Sequence, residues 1–276
     1  MLVNSGAVLS SPPKNHQLGV ELINAGLRYQ DSAVATLANL NLRLEAGKWT
    51  VILGRSGCGK TTVLRYMAGL LDSKVTWHGS MTTTDGEPLS DRIAYMAQQD
   101  LLLPWLSVID NVCLSSRFTR VTHSRNTLVD KAEHAASSTV KDKALALLAS
   151  VGLSEYANTK PDQLSGGMRQ RVALARTLMQ DKPVVLMDEP FSALDAVTRH
   201  KLQSLACELL KDKTVVLITH DPQEAVRLAD GLYVLQGAPA SAQQLPVPSA
   251  EPPRVLDGEC AQLQQAILDQ LERDYE

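Results

Sequence analysis

Residues 49–62 read WTVILGRSGCGKTT, a short run of strand-forming residues that leads straight into a glycine-rich loop carrying a lysine and two threonines. The next stretch, TVLRYMAGLL at 62–71, places Val63, Leu64, Met67, Leu70 and Leu71 at helical spacing, so the order predicted is strand, loop, helix. Gly54, Gly59, Lys60 and Thr61 satisfy the spacing G-x-x-x-x-G-K-[ST] in the context that motif requires. Glycines let backbone N–H groups close around phosphate oxygens, and the helix N-terminus adds partial positive charge. Lys60 can then reach the β- and γ-phosphates, and the Thr61 hydroxyl can ligate Mg²⁺. The stretch therefore reads as a P-loop for a nucleoside triphosphate. By itself it does not separate kinases, GTPases and motor ATPases.

Working outward, GVELINAGLRY and ANLNLRL on the N-terminal side are strand-like. On the C-terminal side KPVVLMDEP at 182–190 and DKTVVLITHDP at 212–222 are continuous apolar runs of the kind buried in parallel sheets, with the helical stretch AVTRHKLQSLACELL between them. Such alternation predicts an α/β core with a β-rich N-terminal part. Residues 106–160 have few strand signals and contain KALALLASVGL at 143–153, which predicts a helical insertion; its polar middle, Arg117 to Lys141, reads as a loop with short helices. The N-terminal residues 1–17 read as a loose tail. At the other end, GAPASAQQLPVPSAEPP at 237–253 reads as a Pro/Ala/Ser linker. After it, Leu256, Cys260, Leu263, Ile267 and Leu271 fall at three- and four-residue steps, predicting a final amphipathic helix that either docks on its own domain or meets another subunit.

Composition sets the outer bounds. With 276 residues and 44% hydrophobic content the chain can bury an ordinary core. A net charge of -3 gives no electrostatic reason to expect nucleic acid as a partner. The four cysteines, Cys58, Cys113, Cys207 and Cys260, form no CxxC pair and no zinc spacing, which suits a reducing compartment. No apolar run approaches the length that spans a bilayer, so work at a membrane requires a partner.

The second half of the phosphate site is PVVLMDEPFSALD. A buried strand, Val184 to Met187, delivers adjacent carboxylates at its C-terminal end, where consecutive side chains point to opposite faces and can take different roles. Asp188 is expected to hold Mg²⁺, directly or through water, and Glu189 to orient or deprotonate the attacking water. His220, at the carboxyl end of the next apolar run, is placed to contact the γ-phosphate. The remaining five histidines lack such context and read as surface or packing residues.

GRSGCGKTT, LSGGMRQR at 164–171, VVLMDEP, SALD and THD follow one another in the order and rough spacing of the ATP-binding subunits of ABC transporters, and residues 18–236 resemble that family. The resemblance implies a helical subdomain over about residues 98–169, ATP as the nucleotide, and a Walker A loop made of Gly54, Arg55, Ser56, Gly57, Cys58, Gly59, Lys60, Thr61 and Thr62. It further implies a Walker B pair at Asp188 and Glu189, a D-loop from Ser192 to Asp195, a switch histidine at His220, and Tyr29 stacked on adenine. Gln98 matches the glutamine that reaches Mg²⁺ and the attacking water; Gln99 is adjacent, and the distance back from Pro104 and Trp105 favours Gln98, while Ala97 replaces the usual aromatic. Ser165, Gly166 and Gly167 would bind the γ-phosphate of an ATP held by a second copy of the chain, making a head-to-tail dimer. Arg169 and Arg171 are expected to form ion pairs or line the helix.

A free-standing domain of this kind resembles the bacterial importer arrangement, with transmembrane permease subunits, an external solute-binding protein, and the ATPase held peripherally at the cytoplasmic face of the plasma membrane. LLLPWLSVIDNV at 101–112 is similar to a segment of the nitrate, sulfonate and taurine importer group, which also includes thiamine-pyrimidine precursor transporters. Leu103, Pro104 and Trp105 would lie near the joint with the membrane subunit, or serve packing alone. The rival expectation is a soluble ABC-type ATPase acting on nucleic acid or ribosomes.

Overall fold

The apolar runs become strands because each offers alternate side chains to two different cores. The computed structural model describes residues 17–71, 73–116 and 130–274. One sheet is antiparallel, in the order β2 (Leu37–Leu44), β1 (Val20–Tyr29), β4 (Val75–Thr83). The other contains β5 (Ile93–Met96), β6 (Val184–Asp188), β7 (Thr214–Ile218), β3 (Trp49–Gly54), β8 (Gly231–Gln236) and β9 (Ser241–Leu245), in that order. Its first five strands run parallel. Both β6 and β7 are buried along their whole length. Val185, Met187, Val215 and Leu217 pack in one cluster with the helices, whereas Val184, Leu186, Val216 and Ile218 pack in a second with the leucines of β1 and β2. This is the period of two expected of a strand covered on both faces.

The helices are α1 (Lys60–Met67), α2 (Val108–Val112), α3 (Asp130–Ser150), α4 (Gly166–Met179), α5 (Ala196–Leu209), α6 (Pro222–Leu228) and α7 (Gly258–Arg273). Between β5 and β6 the described residues hold α2, α3, two 3₁₀ turns and α4. Ala144 and Leu148 on α3 are fully buried, one helical step apart, and join α3 to the core.

Three local expectations change. The first helix stops at Met67, short of Leu70: Gly69 turns to φ 70°, its N–H bonds to Tyr66 O and the Leu70 N–H to Arg65 O, a Schellman end that leaves Leu70 exposed. In the polar segment 117–141 the residues from Asp130 onward belong to the single helix α3 and not to a loop; residues 117–129 lie outside the described residues. Finally, the expected linker contains a strand. Ser241–Leu245 pairs antiparallel with β8, and Ala240 exchanges backbone hydrogen bonds with Thr36 and Ala38. Backbone pairing needs no apolar side chains at a sheet edge, which is why SAQQL gives no strand signal. The tail expected over residues 1–17 lies outside the described residues, except Gln17.

The amphipathic helix forms as α7, capped by Asp257, whose side chain accepts from the Cys260 N–H. It docks on its own domain, with Cys260 and Ile267 buried in the main core; Leu256 stays partly exposed outside it.

Candidate functional site

Strand β3 ends in Gly54, whose φ is 156°. A Cβ there would lie 2.7 Å from Leu235 O and 2.8 Å from Cys58 Sγ, so only glycine fits. Gly59, at φ 106°, is the N-cap of α1 and lies against Leu37. Between them Ser56 and Gly57 are exposed, and the buried Cys58 thiol is pushed up by its burial. Lys60 is buried inside the loop, where its ammonium donates to Gly54 O at 2.7 Å and Arg55 O at 2.8 Å. The Tyr29 hydroxyl lies 3.2 Å from Thr62 Oγ1, which brings the end of β1 to this loop.

Strands β5, β6, β7 and β3 are neighbours, so their carboxyl ends meet at one edge, the position where open α/β sheets bind ligands. Asp188 is 1% exposed, and its Oδ2 has no hydrogen-bond partner. Burial pushes its carboxyl above the usual carboxylate range, opposed by a hydrogen bond from Thr61. An orphaned buried carboxylate oxygen next to a hydroxyl fits one hard cation that draws its other ligands from phosphate and water. Among the described residues no cluster of three or more His, Cys, Asp or Glu could hold a metal.

Glu189 adopts φ 49°, a left-handed conformation uncommon outside glycine. Its N–H bonds to Ile218 O at 2.9 Å, and its carbonyl accepts from Ser192 Oγ at 3.0 Å and Gln170 Nε2 at 3.4 Å. Held in that turn, Glu189 Oε2 accepts from Gln98 Nε2 at 3.1 Å and lies 3.2 Å from His220 Nδ1. Gln98 rather than Gln99 makes the bond to this carboxylate.

Ser165 caps α4, its Oγ accepting from the Met168 N–H at 3.3 Å. Ser165 and Gly166 are exposed, and Gly167 lies against Ala193 and Leu194. No hydrogen bond joins residues 165–167 to Gly54–Thr62 among the described residues. Arg169 pairs with Asp100 at 3.0 Å and donates to Leu164 O, and Arg171 donates to Val151 O, so both guanidiniums serve structure. Asp195 caps α5 by accepting from the Thr198 N–H at 3.0 Å, a bond that lowers its carboxyl pKa.

The sequence profile of the ABC transporter family matches residues 37–192. The chain belongs to the ABC transporter family. It is similar to an ABC transporter ATP-binding protein of Haemophilus influenzae, with 41% identity over 89% of this chain and 98% of that protein. An aliphatic sulfonates import ATP-binding protein of Rhodococcus jostii is 38% identical over 94% of this chain and 96% of its own length. Among solved structures, a dimeric post-hydrolysis state of the ATP-binding cassette MJ0796 bound to ADP and Pi superposes with TM-score 0.66 and 31% identity, over 82% of this chain and 99% of that one. As a member of the ABC family the chain binds and hydrolyses ATP.

Two contacts of this ABC ATPase escaped the sequence reading. Arg176, two turns along α4 from Met168, donates to Leu101 O at 2.8 Å and Asp100 O at 2.6 Å. With Arg169 on Asp100, helix α4 grips the backbone that follows Gln98. Arg55 in the P-loop pairs with Asp274 at the end of α7. Neither bond has a sequence signal, because each joins residues from distant segments through a single side chain.

Proposed function

We propose that the chain is the ATPase subunit of an importer and that two copies work head to tail. In this reading Ser165, Gly166 and Gly167 of one copy complete the Gly54–Thr62 loop of the other. The observation that carries it is the convergence of Gln98 and His220 on Glu189 Oε2 at the edge that also holds the P-loop. Glu189 orients or deprotonates the attacking water, Gln98 positions that water, and His220 contacts the γ-phosphate. Asp188, Thr61 and Gln98 are the residues that would hold Mg²⁺, which when bound neutralises charge on the phosphate oxygens. Tyr29 offers its ring to the adenine. Asp195, capping α5, lies in the D-loop of the same composite site.

The exposure of Ser165 and Gly166 and the dimeric state of the MJ0796 cassette support the paired arrangement. The permease subunits are the chain's membrane partners, and an external solute-binding protein acts through them. No helix among the described residues is long and apolar enough to cross a membrane. Leu101 and Trp105, 58% and 67% exposed, offer an apolar contact for a permease beside the Gln98 segment, consistent with peripheral attachment at the cytoplasmic face. The sulfonate-import relatives support a small solute as cargo, sulfonate-like or of the related nitrate, taurine or thiamine-precursor kind.

Sedimentation of Glu189→Gln tests the pairing: the variant should bind ATP, hydrolyse it slowly and double in mass with nucleotide. A variant that binds ATP and stays monomeric overturns the paired site. Uptake of an alkanesulfonate by cells carrying only Lys60→Ala tests cargo: transport should be lost, and unimpaired uptake removes this chain from that import.

A further inference from the structure

The residues beyond β8 touch two of the nucleotide-handling elements at once. Arg254 is 3% exposed, and its Nη1 donates to Val226 O at 3.0 Å and Ala229 O at 2.6 Å, the last carbonyls of α6. Its backbone N–H also bonds to Arg227 O at 2.8 Å. Helix α6 begins at Pro222, directly after His220 and Asp221, so this anchor fixes the helix that follows the switch histidine. From there α7 packs against α6 and the main core. Near its end Gln270 donates to Gln236 at 3.1 Å and Gln243 at 2.7 Å, which ties the helix to β8 and β9.

The last described residue, Asp274, is then spent on the P-loop region. Its Oδ1 accepts from the Gly237 N–H at 2.8 Å, and its backbone carbonyl accepts from Arg55 Nη1 at 3.1 Å. Its Oδ2 is buried 3.3 Å from Arg55 Nε, without the alignment of a hydrogen bond, and is held there by charge. Arg55 is the second residue of the phosphate loop, and its own carbonyl is one of the two that receive the Lys60 ammonium. Asp274 thus reaches Lys60 through one residue. A loop that must shape itself around phosphates gains from such bracing, because rigidity fixed before binding is not lost on binding.

We propose that residues 241–274 form a strap from α6 to the P-loop and that Asp274 is a positioning residue, holding Arg55 so that the loop is shaped for the triphosphate. The proposal rests on the reading of Gly54–Thr62 as the ATP loop.

The test is ATP affinity and steady-state hydrolysis for Asp274→Ala, Asp274→Glu, Arg55→Ala and the Asp274→Ala/Arg55→Ala double variant, each checked by thermal melting. Asp274→Ala should raise Kd and KM for ATP by about tenfold, the size expected for one charge-assisted contact, with kcat within about twofold. Asp274→Glu, which keeps the charge in reach of Arg55, should recover most of the affinity. The double variant should be no weaker than Arg55→Ala alone. Unchanged affinity in Asp274→Ala, or additive losses in the double variant, overturns the strap. Lys60→Ala is the separate control: if it binds ATP normally the P-loop reading itself fails, and if it alone loses binding only the strap does.

Discussion

His220 Nδ1 lies 3.2 Å from Glu189 Oε2, and the same carboxylate oxygen accepts from Gln98 Nε2. The three residues come from the ends of three adjacent parallel strands. The Gln98 hydrogen bond and the His220 ring beside the same oxygen hold a side chain whose backbone is already at φ 49°. Positioning dominates phosphoryl transfer, so losing either neighbour should slow chemistry more than binding. We expect His220→Ala and Gln98→Ala each to lower kcat by about 100-fold with ATP affinity within a few-fold, and the double variant to fall well short of the product of the two. Rapid-quench hydrolysis and nucleotide titration measure both quantities; a loss confined to affinity would assign these residues to binding alone.

Ser165 is exposed and, among the described residues, its hydroxyl is engaged only in capping its own helix. Ser165→Arg should leave ATP binding by the monomer unchanged while abolishing ATP-driven dimerisation. Nucleotide binding followed by sedimentation separates the two, and a dimer that forms normally would show that residues 165–167 do not act across subunits.

Glu224 is 5% exposed and accepts from Gln203 Nε2 at 2.8 Å. Burial pushes its carboxyl above the usual range, with Asp221 adding to the shift and Thr219, Gln203 and Arg199 opposing it. The folded state therefore favours the neutral acid. The stability this contributes is complete below the ordinary glutamate pKa of about 4.3 and is lost as pH rises through the raised folded value. Glu224→Gln stays neutral throughout, so its melting temperature should gain on wild type as pH rises from 5 to about 9. Parallel melting curves across that range would mean that Glu224 is not held neutral.

Ile267 is fully buried where α7 meets the core, whereas Leu268 beside it is 37% exposed. Ile267→Ala should lower unfolding stability by about 2–5 kcal/mol and Leu268→Ala by no more than about 0.5 kcal/mol. Urea denaturation checks both, and equal effects would argue that α7 is not docked in that register.

Where the sequence reading failed, the missing information was a partner in space. Strand β9 escaped notice because an edge strand of polar residues is stabilised by backbone bonds to β8, which leave no trace in side-chain periodicity. The first helix ends before its apolar spacing does, because Leu70 and Leu71 continue that spacing past Gly69, the residue whose left-handed turn ends it. The Asp100 contacts of Arg169 and Arg176 join α4 to the segment after β5, and no local rule pairs them.

The sequence by itself determined the parallel-strand core, the P-loop, the acidic pair after β6 and the histidine after β7, because those depend on local spacing: apolar runs that must be buried, glycines where a side chain would clash, and polar residues at strand ends. It also carried a serine–glycine turn at Ser165–Gly167 that makes no hydrogen bond to its own P-loop among the described residues. Only the tertiary structure decided that Gln98, Glu189 and His220 share one oxygen, and that Asp274 reaches Arg55. Those contacts depend on strand order and helix docking, which bring distant residues within a few ångströms, and local spacing does not encode which distant segments will meet.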